Sequence, residues 1–209
     1  MKPRRPRNHP RAMNLSWTPP LQFAAALVAI HVAIQQTGQW WPTTMQQALI
    51  LRPLEVTEGA GWLAVLGHAL VHSDWGHLLM NSAFLLIFAT ATERGLRRPN
   101  RWFWFAVFGA GVAAGAFAQW AWWSFSGTFL GTNLLLQSAI GASGGVSALL
   151  ATGTYASGGV RTARAAALGW LAINLAFALF QTNIAWAAHL GGFVGGLALA
   201  PRLRPGRSL

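Results

Sequence analysis

The sequence predicts an all-α membrane protein, a bundle of six transmembrane helices with both termini cytoplasmic. Three observations carry that reading. Of 209 residues, 54% are hydrophobic and only 9% charged. The apolar residues fall into six runs, and 14 of the 15 Lys and Arg residues lie on one side of those runs. An ordinary soluble domain carries roughly a quarter charged residues, so this chain has too few polar side chains to make a water-facing surface. Its apolar fraction is also too high for a disordered basic protein. The net charge of +11 would otherwise point to nucleic acid; a membrane accounts for it better, and no nucleic-acid partner is expected. Zero Cys excludes a disulfide framework, Cys-ligated zinc and a thiol nucleophile.

A bilayer core of about 30 Å needs roughly 20 helical residues, fewer for a helix sheltered inside a bundle. The first run, 21–36, follows the basic residues Lys2, Arg4, Arg5, Arg7 and Arg11. A signal peptide has the same outline; against it stand the long basic region, His31 in the apolar stretch, and no small-x-small site between Ile34 and Trp40. The second run, 65–91, opens with HALVHSDWGHLLMN and ends before Arg94, Arg97, Arg98 and Arg101. The third is 102–124. The fourth, 141–158, opens with GASGG and precedes Arg161 and Arg164, and the fifth is 165–181. The sixth, 187–201, reads AAHLGGFVGGLALA before its final Pro201, too short and too polar at its start to face lipid all round, so it is expected to pack centrally. Arg202, Arg204 and Arg207 follow it.

Every basic block therefore falls on the same side, which the positive-inside rule makes cytoplasmic. The opposite loops hold only Arg52, with Glu55 and Glu58. The chain divides into a basic tail over 1–20, a membrane domain over 21–201 and a basic tail over 202–209. Trp40, Trp41, Trp62, Trp75, Trp102, Trp104, Trp122, Trp123 and Trp186 lie near the ends of runs, where amphipathic rings anchor at headgroups.

Polar side chains inside spanning segments cost several kcal/mol, on the order of the insertion penalties for ionisable groups, unless paired. Four stretches violate that economy. His68, His72, His77 and Asn81 head the second run; His77 and Asn81 are four apart, on one helix face, where N–H donors can point into a common cavity. Three histidines suggest a metal, but their spacing lacks a carboxylate other than Asp74, so no metal is expected. Hydrogen bonds tying loop to helix account equally well for His68 and His72.

In the second stretch, Ser143 stands at a helix start between Gly141–Ala142 and Gly144. Unpaired backbone N–H groups there favour an oxyanion, although a small-residue pentapeptide also suits a tight helix crossing. In the third, His189 shares a helix face with Gly192 and Gly196, a smooth strip along which the fourth segment can approach. The fourth and sixth segments both begin on the extracytoplasmic side, so Ser143 and His189 come to similar depth and can form a dyad, with no Asp or Glu to complete a triad. In the fourth, Glu93 at the end of the second segment is expected to brace the neighbouring loop.

Taken in order, these residues resemble the rhomboid family of intramembrane serine proteases, over roughly residues 58–201. His77 and Asn81 are similar to the family's His-x3-Asn pattern, His68 and His72 stand at its upstream spacing, and Glu93 matches; GASG and AHLGG resemble its nucleophile and histidine motifs. The resemblance implies Ser143 as nucleophile and His189 as general base and acid. It implies an oxyanion or substrate-binding group of His77, Asn81 and the backbone around Gly141, Ala142 and Ser143, with no cofactor. It also implies a transmembrane protein substrate cut at a cell membrane, by expectation a bacterial inner membrane. One departure stands out: Ser147 occupies the place where many members carry a Tyr that stacks on the catalytic imidazole, which leaves His189 less firmly held. The rival readings are a non-catalytic rhomboid-like protein that escorts membrane helices, which predicts loss of the Ser or His, and a histidine-lined channel, which wants a mid-membrane acid.

Overall fold

The computed structural model describes residues 18–36, 43–96, 100, 102–180 and 184–203. The basic residues Lys2 to Arg11, Arg97, Arg98, Arg101, Arg204 and Arg207, and the expected anchors Trp40 and Trp41, lie outside them. Eight α-helices appear among the described residues: α1 (Pro19–Gln36), α2 (Thr43–Ala48), α3 (Pro53–Thr57), α4 (Trp62–Gly67), α5 (Trp75–Gly95), α6 (Phe103–Phe129), α7 (Ser143–Phe180) and α8 (Trp186–Leu199). Two of them, α5 and α6, are long and apolar enough to cross a membrane by length and composition. Helix α7 is two helices in sequence, broken at Gly158 (φ −146°, ψ 16°) and Gly159 (φ 69°, ψ −159°). This break lies between the expected fourth and fifth segments.

The second run does not begin at residue 65. Short helix α4, a 3-10 turn over His68–Leu70 and an extended link precede α5, whose start is fixed by Asp74: its carboxylate accepts the His77 backbone N–H at 2.9 Å. A side-chain acceptor at the N-cap satisfies an amide that the helix itself leaves open, which a hydropathy window cannot register. Conversely, α6 runs to Phe129, beyond the expected 124, because the apolar and aromatic sequence continues through WSFSGTF. The expected anchors also divide: Trp62, Trp75 and Trp102 are about half exposed, but Trp104 and Trp123 are buried in the core.

Helices α5 to α8 pack on one another, and α1 closes one flank. Phe23 of α1 meets Trp104, Phe105 and Phe108 of α6, and Leu27 joins Leu78, Leu85, Val107, Val112 and Leu149 in the core. Glycines set the approach of α7 to α8. A Cβ on Gly192 would stand 2.1 Å from the Gly144 carbonyl oxygen, and one on Gly196 2.3 Å from that of Ala148. Gly192→Val is therefore expected to wedge the two helices apart and destabilise the protein by about 1–3 kcal/mol or more, read as a lower unfolding temperature in detergent; an unchanged temperature would refute this packing.

The two ends of the bundle differ in charge. Antiparallel bridging of Leu96 to Leu203 brings the ends of α5 and α8 together, and Arg164 lines one cavity with Leu197 and Pro201, so Arg94, Arg164 and Arg202 gather at one end. At the other, Leu51 bridges Ala139, joining the two loop regions that flank the starts of α5 and α7.

Candidate active site

The starts of α5, α7 and α8 converge at this second end. Gly141 turns the chain into α7 with φ +112°, a backbone state that side chains with a Cβ rarely adopt. The space a Cβ would fill is taken by the His77 ring, 2.5 Å from the ideal position, with Asn81 Nδ2 3.7 Å from it. Ser143 follows as the first residue of α7. Its Oγ lies 2.8 Å from His189 Nε2, although 46 residues separate them in sequence. Both side chains are half-buried.

His189 is held from three directions. Its own helix starts one turn earlier, where the Ala188 N–H donates to Gln119 Oε1 of α6 at 3.1 Å. Its Nδ1 is hydrogen-bonded to Asn174 Oδ1, and the Trp170 ring lies against it, centroids 5.6 Å apart. Ser147 is fully buried; it donates to the Ser143 carbonyl at 2.7 Å and accepts the Trp170 indole N–H at 3.2 Å. The imidazole is thus supported from the second half of α7.

The polar group beside Gly141 is unevenly satisfied. Asn81 is buried and its Nδ2 has no hydrogen-bond partner among the described residues, which leaves a donor available next to the Ser143 turn. The Ser73 hydroxyl donates to Asp74 Oδ2 at 2.6 Å and lies 3.2 Å from His77 Nδ1. With that hydroxyl donating to a carboxylate, the stronger acceptor, His77 Nδ1 is the donor to Ser73 Oγ, and Nε2 faces Gly141. The Ser73 hydroxyl first, and the His77 backbone N–H second, hold the Asp74 carboxyl below its usual range.

His68 and His72 form the struts of this loop. His68 Nδ1 donates to the Ala64 carbonyl at 2.8 Å, and its own carbonyl accepts the Gly141 N–H at 2.8 Å. The Ala142 N–H points to His72 Nε2 at 3.4 Å. Burial first, then the nearby His77, pushes His72 down to about 4, so it is neutral and can accept that bond. The amides of Gly141 and Ala142 are occupied in this way, and these two residues give the site space instead of donors. Glu93 lies at the far end of α5, where its Oε1 is buried with no hydrogen-bond partner among the described residues.

Among the described residues no cluster of three or more His, Asp and Glu side chains is arranged to hold a metal ion. Sequence reasoning missed Asn174, Trp170 and Gln119. Asn174 and Gln119 are buried polar residues inside apolar helices, the same signal that marked Ser143 and His189.

With this geometry in hand, comparison with known families is decisive: the profile of the Rhomboid domain matches residues 59–206. The chain belongs to the rhomboid family. That match covers α5 to α8 and the whole of the site, and it makes the chain a membrane protein. No curated protein matches this rhomboid.

Proposed function

We propose that this rhomboid is an intramembrane serine protease, six-spanning with both termini cytoplasmic, that hydrolyses a peptide bond in or near a transmembrane segment of a membrane protein. The six spans are α1, α5, α6, the two halves of α7 and α8, and the gathering of Arg94, Arg164 and Arg202 at one end supports a cytoplasmic face there. The site then opens on the extracytoplasmic side of a cell membrane.

The observation that carries the reading is the hydrogen bond between Ser143 Oγ and His189 Nε2 at 2.8 Å, beside the buried Asn81 amide N–H2, which has no hydrogen-bond partner among the described residues. A neutral imidazole nitrogen takes the hydroxyl proton as Oγ attacks the substrate carbonyl carbon. The oxyanion that forms receives Asn81 Nδ2 and the N–H groups at the start of α7. His189 then returns its proton to the leaving amine, and water attacks the acyl-enzyme by the same route in reverse. A helix substrate must be locally unwound to offer its carbonyl, since its backbone groups are otherwise paired.

A fluorophosphonate probe tests this in detergent. The parent is expected to become covalently labelled and Ser143→Ala to take up no label. A folded parent that stays unlabelled would support instead a rhomboid that binds membrane helices without cutting them.

A further inference from the structure

The protease reading names two reacting residues, yet a neutral imidazole has two tautomers, and only the one with its proton on Nδ1 leaves Nε2 free to accept from Ser143. The second half of α7 decides between them. Asn174 Nδ2 donates to the Trp170 carbonyl at 2.8 Å. A backbone carbonyl only accepts, so the amide is oriented, and its Oδ1 is the atom that meets His189 Nδ1. An amide oxygen likewise only accepts. The proton of neutral His189 is therefore fixed on Nδ1, and the Nε2 lone pair is aimed at Ser143 Oγ, 2.8 Å away.

Resting on the protease reading, we infer that Asn174 is the positioning residue of this active site, completing a Ser143–His189–Asn174 relay, with Trp170 as its platform. Trp170 and Asn174 are one helical turn apart, so both face α8. Trp170 orients the amide through its carbonyl, lies against the imidazole with its ring, and is itself pinned by Ser147. Asn174 is buried, while the flanking Ile173 and Leu175 are exposed; the polar side chain is the one turned inward. A neutral third member suits an apolar site, because it fixes the tautomer without placing a second charge in a medium that penalises charge.

Among the described residues, the titratable group that acts on His189 from another element is His77 on α5. From α6 comes Gln119, and from α7 Ser143, Trp170 and Asn174, none of which titrates in the range of an imidazole.

The test is the pH profile of cleavage by reconstituted protein, comparing the parent with Asn174→Leu and Asn174→Asp. General-base catalysis typically supplies about 10² to 10⁴-fold, and a misheld base forfeits part of it, so Asn174→Leu is expected to lose roughly 10- to 100-fold in kcat with KM little changed. Its acid limb should move to lower pH, since the acceptor that favours the imidazolium is gone. Asn174→Asp keeps an acceptor at Nδ1; it should recover part of the lost rate and move the limb to higher pH. An acid limb that stays put in both variants overturns the proposal, whether or not kcat falls, because a merely structural residue would lower rate and thermal stability without shifting the titration. If Asn174→Leu does not fold, the limb of Asn174→Asp decides alone. A parent with no Ser143-dependent turnover would instead remove the protease reading itself, a distinct failure.

Discussion

Ser143→Ala, His189→Ala and the double variant are each expected to fall to one common floor, roughly 10⁴-fold or more below the parent in kcat. The two side chains share a single hydrogen bond between Oγ and Nε2, and neither moves a proton usefully without the other. Groups that act as a unit are not additive, so the second substitution should add almost nothing. Packing would give another pattern. Gly144 lies against α8 at the Gly192 contact, and Ala fits wherever Ser does; if Ser143 only let helices cross, Ser143→Ala would be silent and Ser143→Leu would unfold the bundle. Steady-state cleavage and thermal unfolding measured side by side distinguish the two.

The second large effect belongs to the oxyanion group. Asn81→Ala is expected to lower kcat by about 10² to 10³ while leaving the fold and fluorophosphonate labelling in place, the usual result of removing one donor aimed at developing charge. Among the described residues Asn81 Nδ2 has no hydrogen-bond partner, so its truncation leaves none of them stranded. His77→Ala should cost less. In its neutral form that ring donates through Nδ1 to Ser73, whose own hydroxyl donates to Asp74, and Nε2 becomes a donor only on protonation. Equal rates for Asn81→Ala and the parent in reconstituted membranes would refute this assignment.

Much of this was readable from the chain. Hydropathy and charge alone place the runs that become α1, α5, α6, the two halves of α7 and α8, because lipid admits few polar residues and each exception stands out. That rule singles out His77, Asn81, Ser143 and His189, which the fold gathers at one end. It fails where local chemistry overrides hydropathy. Asp74 begins α5 ten residues later than the apolar pattern suggests, and Trp104, an anchor by position, is core by packing. Ser147 shows another limit. Its identity announces that a stacking ring is missing, but the ring that replaces it, Trp170, comes from 23 residues away, across a break at Gly158–Gly159 whose geometry no periodicity encodes. Asn174 is visible in the sequence as an amide in the middle of an apolar segment; its partner is not.

The central claim is tested most directly by one measurement: mass spectrometry of a single-span membrane protein co-reconstituted in liposomes with the parent or with Ser143→Ala. The account predicts two new fragments whose shared boundary falls in or beside the spanning segment, produced by the parent and absent with Ser143→Ala. The same fragments from both proteins would contradict it.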